Sequence, residues 1–250
     1  MPQMLKGQPE AGTRPWYRVQ AKKDGAAEVF IYDEIGAGFF GGGVAAADLI
    51  KEAKALNLAA DDELKVRINS PGGNFFEAVA IYNYFRTMKA KIIVRVDGVA
   101  ASAASVVAMA GDRIEMPQNA MMFIHNPWMF AAGDAKVMRK VAEDLDQMRD
   151  SAAGTYLRRA GDKLTRAKLL DMLDAETWLT AEDSVKHGLA DVVDEPVRAA
   201  ALAQFDFNKY GFPVPKAIAT AKAAISEERH RQREALRMLE VVALEGMKKI

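Results

Sequence analysis

The chain has 250 residues, half of them hydrophobic, and this is enough apolar surface for a substantial buried core. Lysine plus arginine and aspartate plus glutamate number 34 each, so the net charge gives no reason to expect a nucleic acid or an anionic membrane as partner. The absence of cysteine excludes disulfide frameworks, thiolate metal sites and a cysteine nucleophile. Without a signal-peptide pattern or a run of about 18 apolar residues, the sequence predicts a soluble, cytoplasmic protein with no membrane partner.

The first part of the chain predicts a hairpin followed by a helix and a strand. Residues 1–15 have no periodicity and are expected to form a flexible N-terminal tail. Two β-like runs around KKDG predict a hairpin over residues 17–36. Helical spacing of apolar residues then predicts a helix over 44–58, and alternation of apolar and polar residues predicts a strand over 63–70.

The middle of the chain continues this alternation. Residues 76–89 carry an apolar helical stripe, residues 90–98 predict a strand that ends at Gly98, and the small residues that follow are expected to form a helix. Short strands are predicted at 112–117 and 120–128. Strand–helix units of this length predict parallel pairing with crossover helices, and hence an α/β fold.

Two further helices are predicted before the composition changes. The segment from Asp134 to about Arg159 predicts one long helix, whose apolar stripe would lie in the core or in an oligomer contact. The members of the stripe are Val137, Val141, Leu145, Met148, Ala152 and Tyr156. A second helix has Thr180 as N-cap and Gly188 just after its end, and it leads into a last strand.

Near residue 200 the chain changes in character. Aromatic residues and prolines are followed by a segment dominated by alanine and charged residues. We therefore predict a core domain over residues 16–198, a linker over 199–215 and a helical C-terminal extension over 216–250.

A glycine-rich turn at residues 36–41, GAGFFG, matches the dinucleotide-binding pattern G-x-G-x-x-G, with Asp61 or Asp62 as the acid that would bind the ribose. Phe39 and Phe40 stand where a pyrophosphate would need bare backbone, and such spacings arise often in a chain with 18 glycines. An ordinary strand-to-helix turn is the favoured interpretation, and no nucleotide cofactor is expected.

Two short segments could carry chemistry. INSPGG, residues 68–73, leads a strand into two glycines before a helix, which leaves backbone N–H groups able to bind an oxyanion, although a tight turn is the simpler explanation. DGVAASAAS, residues 97–105, surrounds Ser102 with small residues at the start of a helix. Its hydroxyl could be a nucleophile if a base reaches it, and otherwise close helix packing explains the segment. Ser105, one turn further on, is expected to be dispensable.

The three histidines differ in their settings. His230 lies in a charged stretch, and His187 lies at a helix end, where a capping role explains it. His125 ends the apolar strand MMFI and is followed by Asn-Pro, so its imidazole is expected at a sheet edge. Together with Ser102, His125 is the candidate general base.

Four motifs in chain order, INSPGG, GVAASAAS, MMFIHNPW and ETWLTAEDSVKHGLADVV, resemble the family of the Clp protease proteolytic subunit, and more closely its ClpP-like head maturation proteases of phages and prophages. The resemblance covers about residues 29–193. It implies an α/β ClpP/crotonase-type fold, a repeated β-β-α superhelix with a projecting handle helix. It also implies a serine endopeptidase with Ser102 as nucleophile, His125 as general base and the N–H groups of Gly73 and Ala103 as oxyanion hole.

The third member of the implied triad departs from the family pattern. The family has an aspartate two residues before an aromatic residue, and here Glu176 stands two residues before Trp178, with Asp174 as the alternative. Glutamate can orient an imidazole as aspartate does. This departure, a slightly shorter Ser–His spacing and the extension beyond residue 200 favour the phage branch, which would act in the host cytoplasm.

The resemblance also implies partners. The segment MFAAGD after His125 is similar to the strand that binds peptide substrates by β-addition, and the helix from Asp134 is similar to the handle by which rings of subunits pair. We therefore expect a homo-oligomeric ring that cleaves a capsid or scaffold protein, with no nucleic acid, metal or other cofactor. The sequence leaves open whether an unfoldase docks on it.

Three alternatives belong to other classes. A crotonase-type acyl-CoA enzyme would share the fold but would need neither Ser102 nor His125. A serine–lysine dyad is usual in membrane-tethered peptidases, and no anchor is predicted here. A catalytically silent ClpP-like structural subunit stays compatible with the sequence.

Overall fold

The computed structural model describes residues 17–21, 26–36 and 45–195, which form an eight-stranded mixed sheet with six α-helices. The predicted α/β fold class is confirmed. The strands are β1 (Tyr17–Ala21), β2 (Ala26–Ile31), β3 (Glu63–Ser70), β4 (Lys91–Ala101), β5 (Arg113–Pro117), β6 (Met121–Ile124), β7 (Thr177–Thr180) and β8 (Val192–Asp194). The helices are α1 (Ala46–Ala55), α2 (Phe75–Thr87), α3 (Ala103–Ala108), α4 (Ala135–Ala160), α5 (Arg166–Asp174) and α6 (Ala181–Lys186), with a 3₁₀ turn at Gly161–Lys163.

The sheet combines a hairpin with parallel crossovers. β1 and β2 pair antiparallel, as predicted, and β2, β3, β4 and β5 then lie side by side in parallel, with β8 parallel to β5. α1 connects β2 to β3, and α2 connects β3 to β4. β6 extends the sheet beside the end of β4 and pairs antiparallel with β7. The carboxyl ends of β3, β4 and β6 therefore meet at one edge.

The two faces of the sheet differ in chemistry. On β3, Leu64, Val66 and Ile68 are fully buried and belong to the core cluster that contains residues of α1, α2 and α3. On the opposite face, Arg67 forms a two-pronged ion pair with Asp97 of β4, with N–O distances of 2.6 and 2.7 Å. This period of two is the pattern from which the strand was predicted.

The end of β4 differs from the prediction. The strand continues past Gly98 because it changes partner: residues 93–95 pair with β5, and residues 99–101 pair with β6. The predicted strand end at Gly98 is wrong, and the small-residue helix starts only at Ala103. Pairing with β6 satisfies the backbone groups of a buried segment, Val99 to Ala101, in which one valine beside two alanines shows no pattern.

Helix α4 confirms the predicted long helix. Asp134 is its N-cap and accepts hydrogen bonds at 3.0 Å from the N–H groups of Lys136 and Val137. Among the described residues of its first half, none is buried, and Val137 is 43% exposed. The buried residues of α4 are Ala152, Ala153, Tyr156 and Ala160. The predicted apolar stripe thus reaches the core of this chain only at its C-terminal end.

Two elements near the C-terminal side of the described chain, α5 and β7, were not predicted. Both are short, with nine and four residues, and β7 is defined by its pairing with β6. α6 follows the prediction, because Thr180 accepts from the N–H of Asp183 at 3.0 Å and Gly188 has a φ of +73°. The predicted tail, linker and C-terminal extension lie outside the described residues, as do His230 and all but Gly36 of the GAGFFG turn.

Candidate active site

Ser102 stands at a sharp turn between β4 and α3. Its φ of +53° and ψ of −126° are an uncommon conformation for a residue other than glycine. The Ser102 N–H donates to the carbonyl of Phe123 on β6 at 2.8 Å. The side chain is partly exposed, whereas every residue of α3 is buried. The turn therefore presents one hydroxyl at the surface of an otherwise closed segment.

The INSPGG loop packs directly against this turn. A Cβ added to Gly72 would lie 2.7 Å from the Cβ of Ser102 and 3.0 Å from the backbone nitrogen of Ala103. The φ of +101° at Gly72 also favours glycine. The position needs glycine because a side chain would push the loop away from the candidate nucleophile.

The backbone of Gly73 is oriented by its bridge to Ile35. The N–H of Ile35 donates to the carbonyl of Gly72 at 2.6 Å, and the N–H of Asn74 donates to the carbonyl of Ile35 at 2.9 Å. In a parallel bridge of this kind, the N–H of Gly73 points away from Ile35, toward the β4 side of the sheet. The N–H of Ala103 is the first of a helix and has no intrahelical acceptor. Both predicted oxyanion donors thus belong to segments that adjoin Ser102.

His125 follows the last residue of β6, at the sheet edge where it was predicted. Its Nε2 lies 2.7 Å from the Oγ of Ser102. The imidazole stacks on Phe123 at a centroid distance of 5.1 Å, and only 9% of the residue is exposed. Burial lowers the pKa of His125 from 6.5 to about 4. At neutral pH the imidazole is therefore uncharged, which is the form that can accept a proton.

The two acidic candidates are placed differently. In the β6–β7 ladder Phe123 pairs with Trp178 and Ile124 pairs with Thr177. The ladder ends at this pair. One further step of the same register would set His125 opposite Glu176, whose φ of +49° lies at the turn into β7.

Asp174 lies at the end of α5 and accepts a hydrogen bond of 2.7 Å from the side-chain amide of Asn126. Both acids are exposed in this chain. Continued by one step, the ladder register makes Glu176 the acid nearest to the base along the chain, whereas Asp174 is hydrogen-bonded to Asn126.

Two buried hydroxyls near the turn were not part of the predicted site. The Oγ of Ser105 donates to the carbonyl of Ser102 at 2.5 Å and lies 2.7 Å from the hydroxyl of Tyr156. Nothing in the sequence connected these two residues, which are 51 positions apart. Tyr156 was expected only as the last member of an apolar stripe.

The other features considered in the sequence do not add to this site. His187 is the C-cap of α6, in agreement with its predicted capping role. Among the residues that the structure describes, no group of three or more His, Asp or Glu side chains is placed to hold a metal ion. No helix of the described ranges is long and apolar enough to span a membrane.

The rate of reaction at Ser102 is expected to depend on pH through His125. Protonated imidazole cannot take the serine proton, and burial disfavours that charged form, so the acid limb should have its midpoint below 6.5 and toward 4. We would measure fluorophosphonate labelling between pH 3.5 and 8. A midpoint at or above 6.5 would contradict the buried, neutral histidine.

The free energy of unfolding should also depend on pH through His125. The pKa of His125 is lower in the folded than in the unfolded chain. The contribution of the neutral imidazole to the free energy of unfolding is therefore complete above pH 6.5, and it is lost as the pH falls toward 4. The full effect is roughly 3 kcal/mol. Circular dichroism at each pH distinguishes unfolding of the protein from protonation of the general base in the folded protein.

Comparison with known proteins gives a consistent set of matches. A family model described as Clp protease matches residues 15–196. The ATP-dependent Clp protease proteolytic subunit of Deinococcus radiodurans is 30% identical over 141 residues, which are 55% of this chain and 68% of that protein. The subunit of Chlorella vulgaris is 31% identical over 133 residues, 52% of this chain and 65% of its own length. Subunit 4 of Streptomyces avermitilis is 31% identical over 137 residues, 53% of this chain and 59% of that protein.

Proposed function

The chain belongs to the Clp protease family, and on this premise we propose that it is a serine endopeptidase with Ser102, His125 and Glu176 as its triad. The observation that carries the proposal is the 2.7 Å contact between the Oγ of Ser102 and the Nε2 of His125. These residues follow the ends of two paired strands, so the sheet itself fixes their distance. Neither helix packing nor a structural histidine requires this contact.

The first chemical step is acylation. His125 takes the proton of Ser102 as the Oγ attacks the carbonyl carbon of a peptide bond. The oxygen of that carbonyl becomes negatively charged and accepts hydrogen bonds from the N–H groups of Gly73 and Ala103. His125 then donates the proton to the leaving amine, and a water molecule releases the acyl group by the same steps. Each oxyanion donor contributes about 10²- to 10³-fold to such a step.

Glu176 would orient the base. His125 is buried, and a positively charged imidazole in that place needs a neighbouring carboxylate. Glu176 directly precedes β7, and it is the residue that would face His125 if the β6–β7 register continued by one step, which supports this role. A carboxylate there would accept from Nδ1 and leave Nε2 directed at Ser102.

The segment that follows His125 is suited to binding a peptide substrate. Residues 126–134 lie in neither a helix nor a strand, and they contain three large exposed side chains. Trp128, Met129 and Phe130 are 46%, 40% and 73% exposed, and the rings of Trp128 and Phe130 meet edge to face at 5.2 Å. An extended peptide could pair with this segment and place apolar side chains against these rings.

The finer role that we propose is the processing of capsid or scaffold proteins in phage head maturation, which rests on the sequence resemblance. The test has two parts. A fluorophosphonate probe should label Ser102, which an acyl-CoA enzyme or a silent structural subunit would not allow. The purified enzyme should then cut coat or scaffold proteins encoded near its own gene, at sites found by sequencing the new N-termini. Labelling without such cleavage would keep the endopeptidase and refute the capsid role.

Self-association through α4 is the further part of the proposal. The exposed first half of α4 presents an apolar stripe, and a monomer would leave it in water beside the exposed aromatic residues of segment 126–134. A closed homo-oligomer would cover this surface and enclose the serines in a chamber, as expected for a ring of subunits. Exclusion of folded proteins from the chamber would then supply specificity.

We expect Val141→Glu and Leu145→Glu to reduce the mass in solution to that of smaller species. Both residues are half-buried in the single chain, on the stripe side of α4. Gln147→Glu adds the same charge on the exposed side and should leave the mass unchanged. Light scattering at micromolar concentration measures the result. A wild-type monomer with full peptidase activity would end the idea of a chamber.

A further inference from the structure

We infer that Ser105 and Tyr156 form a hydroxyl pair that positions the nucleophile. They hold the backbone of Ser102 in its uncommon conformation and thereby set the rate of acylation. The inference rests on the proposed function, because it concerns the same serine. It assigns to two core residues a role in the reaction that neither the motifs nor the triad includes, and it replaces the expectation from the sequence that Ser105 is dispensable.

The conformation of Ser102 needs support. A residue with a side chain adopts φ of +53° and ψ of −126° only where its surroundings hold it there. The N–H of Ser102 is fixed by the carbonyl of Phe123 at 2.8 Å. Its carbonyl is fixed by two donors of a single residue, the N–H of Ser105 at 2.9 Å and the Oγ of Ser105 at 2.5 Å. The hydrogen bond from the side chain is the shorter of the two.

The direction of the hydrogen bonds follows from counting protons. The Oγ of Ser105 has one proton, which it donates to the carbonyl of Ser102. At 2.7 Å from the hydroxyl of Tyr156, the same oxygen must therefore accept from Tyr156. The relay runs from Tyr156 through Ser105 to Ser102, and each donor strengthens the next bond. Burial raises the pKa of Tyr156 to about 12, so its hydroxyl keeps this proton at neutral pH.

The relay connects two separate elements in the dry core. Ser105 is 0% exposed on α3, and Tyr156 is 2% exposed in the buried part of α4. Without the Tyr156 proton, the Oγ of Ser105 would keep a lone pair that water does not reach. The bond to the Ser102 carbonyl would weaken, and Ser102 would spend less time with its Oγ at 2.7 Å from His125. Substrate binding would be little affected.

Tyr156→Phe is the main test, because it removes the hydroxyl and keeps the ring. We expect the rate of fluorophosphonate labelling and kcat for a fluorogenic peptide to fall about tenfold, with KM changed less than twofold. Ser105→Ala should give at least the same loss. The double variant should be no slower than Ser105→Ala alone, because both residues act through one oxygen atom.

Ser184→Ala is the matched control. Ser184 is also 0% exposed, and its Oγ donates to the carbonyl of Thr180 at 2.8 Å on α6. Ser184→Ala removes a buried serine hydroxyl from α6 and leaves α3 unchanged. We expect a similar change in melting temperature and an unchanged kcat.

The outcomes separate this inference from the proposed function. If the wild type is not labelled, the proposed function fails and the inference fails with it. If the wild type is labelled and Tyr156→Phe reacts at the same rate, only the inference is overturned. An equal loss of kcat in Ser184→Ala would also overturn it, because the effect would then be general destabilisation. Should Ser105→Ala not fold, Tyr156→Phe decides the question alone.

Discussion

Replacing Ser102 with alanine is expected to reduce peptide cleavage and fluorophosphonate labelling to background, a loss of at least about 10³-fold, while the protein stays folded. The hydroxyl is the only part of the side chain that is lost. In the described structure it makes no capping hydrogen bond to α3, so its removal leaves the helix start as it was. Alanine meets the same backbone conformation as serine, because both have a Cβ.

The measurement is labelling followed by mass spectrometry, with melting temperature as the check on the fold. Ser151→Ala, on the exposed side of α4, serves as a serine control and should label as the wild type does. Label found on Ser102→Ala would show that another residue is the nucleophile. A variant that is inactive but also unfolded would not support the role of Ser102, and the melting curve distinguishes these cases.

The architecture was predictable wherever burial left a periodic pattern. Strand β3 has a buried residue at every second position, and α4 begins at a capping aspartate, so both could be placed from local sequence alone. The end of β4 could not be placed from local sequence. Its last four residues are GVAA, in which a single valine among glycine and alanine gives no period, and a strand forms there because β6 lies alongside. That pairing is a long-range contact.

The candidate site was predictable to the same extent. Ser102 was predicted at the start of a helix and His125 at the end of the apolar run MMFI, and their roles as nucleophile and base were implied by the family resemblance. Local sequence does not show that β4 and β6 are neighbours, which is what brings the two residues together. The link between Ser105 and Tyr156 could not be expected, because each residue alone looks like an ordinary core residue. Their 2.7 Å contact depends on how α4 packs against α3.

Glu176→Gln is expected to lower kcat by about 10²- to 10⁴-fold with KM little changed, because the amide cannot stabilise the imidazolium that forms at His125. Asp174→Asn is the matched control, with the same chemical change two residues away. Asp174 accepts from the amide of Asn126 at 2.7 Å, at the exposed end of α5. Its replacement should cost little activity.

The ranking of these two variants tests the third member of the triad. Glu176 lies one step beyond the last pair of the β6–β7 ladder, Ile124 with Thr177, at a position where the backbone already turns. If the side chain bends back to His125, Glu176→Gln loses activity and its acid limb moves to lower pH, because a carboxylate raises the pKa of a neighbouring imidazole. If Asn126 instead releases Asp174 when substrate binds, Asp174→Asn is the slower enzyme. The reverse ranking would therefore move the triad to Asp174, and it would make the bond between Asn126 and Asp174 a feature of the empty site.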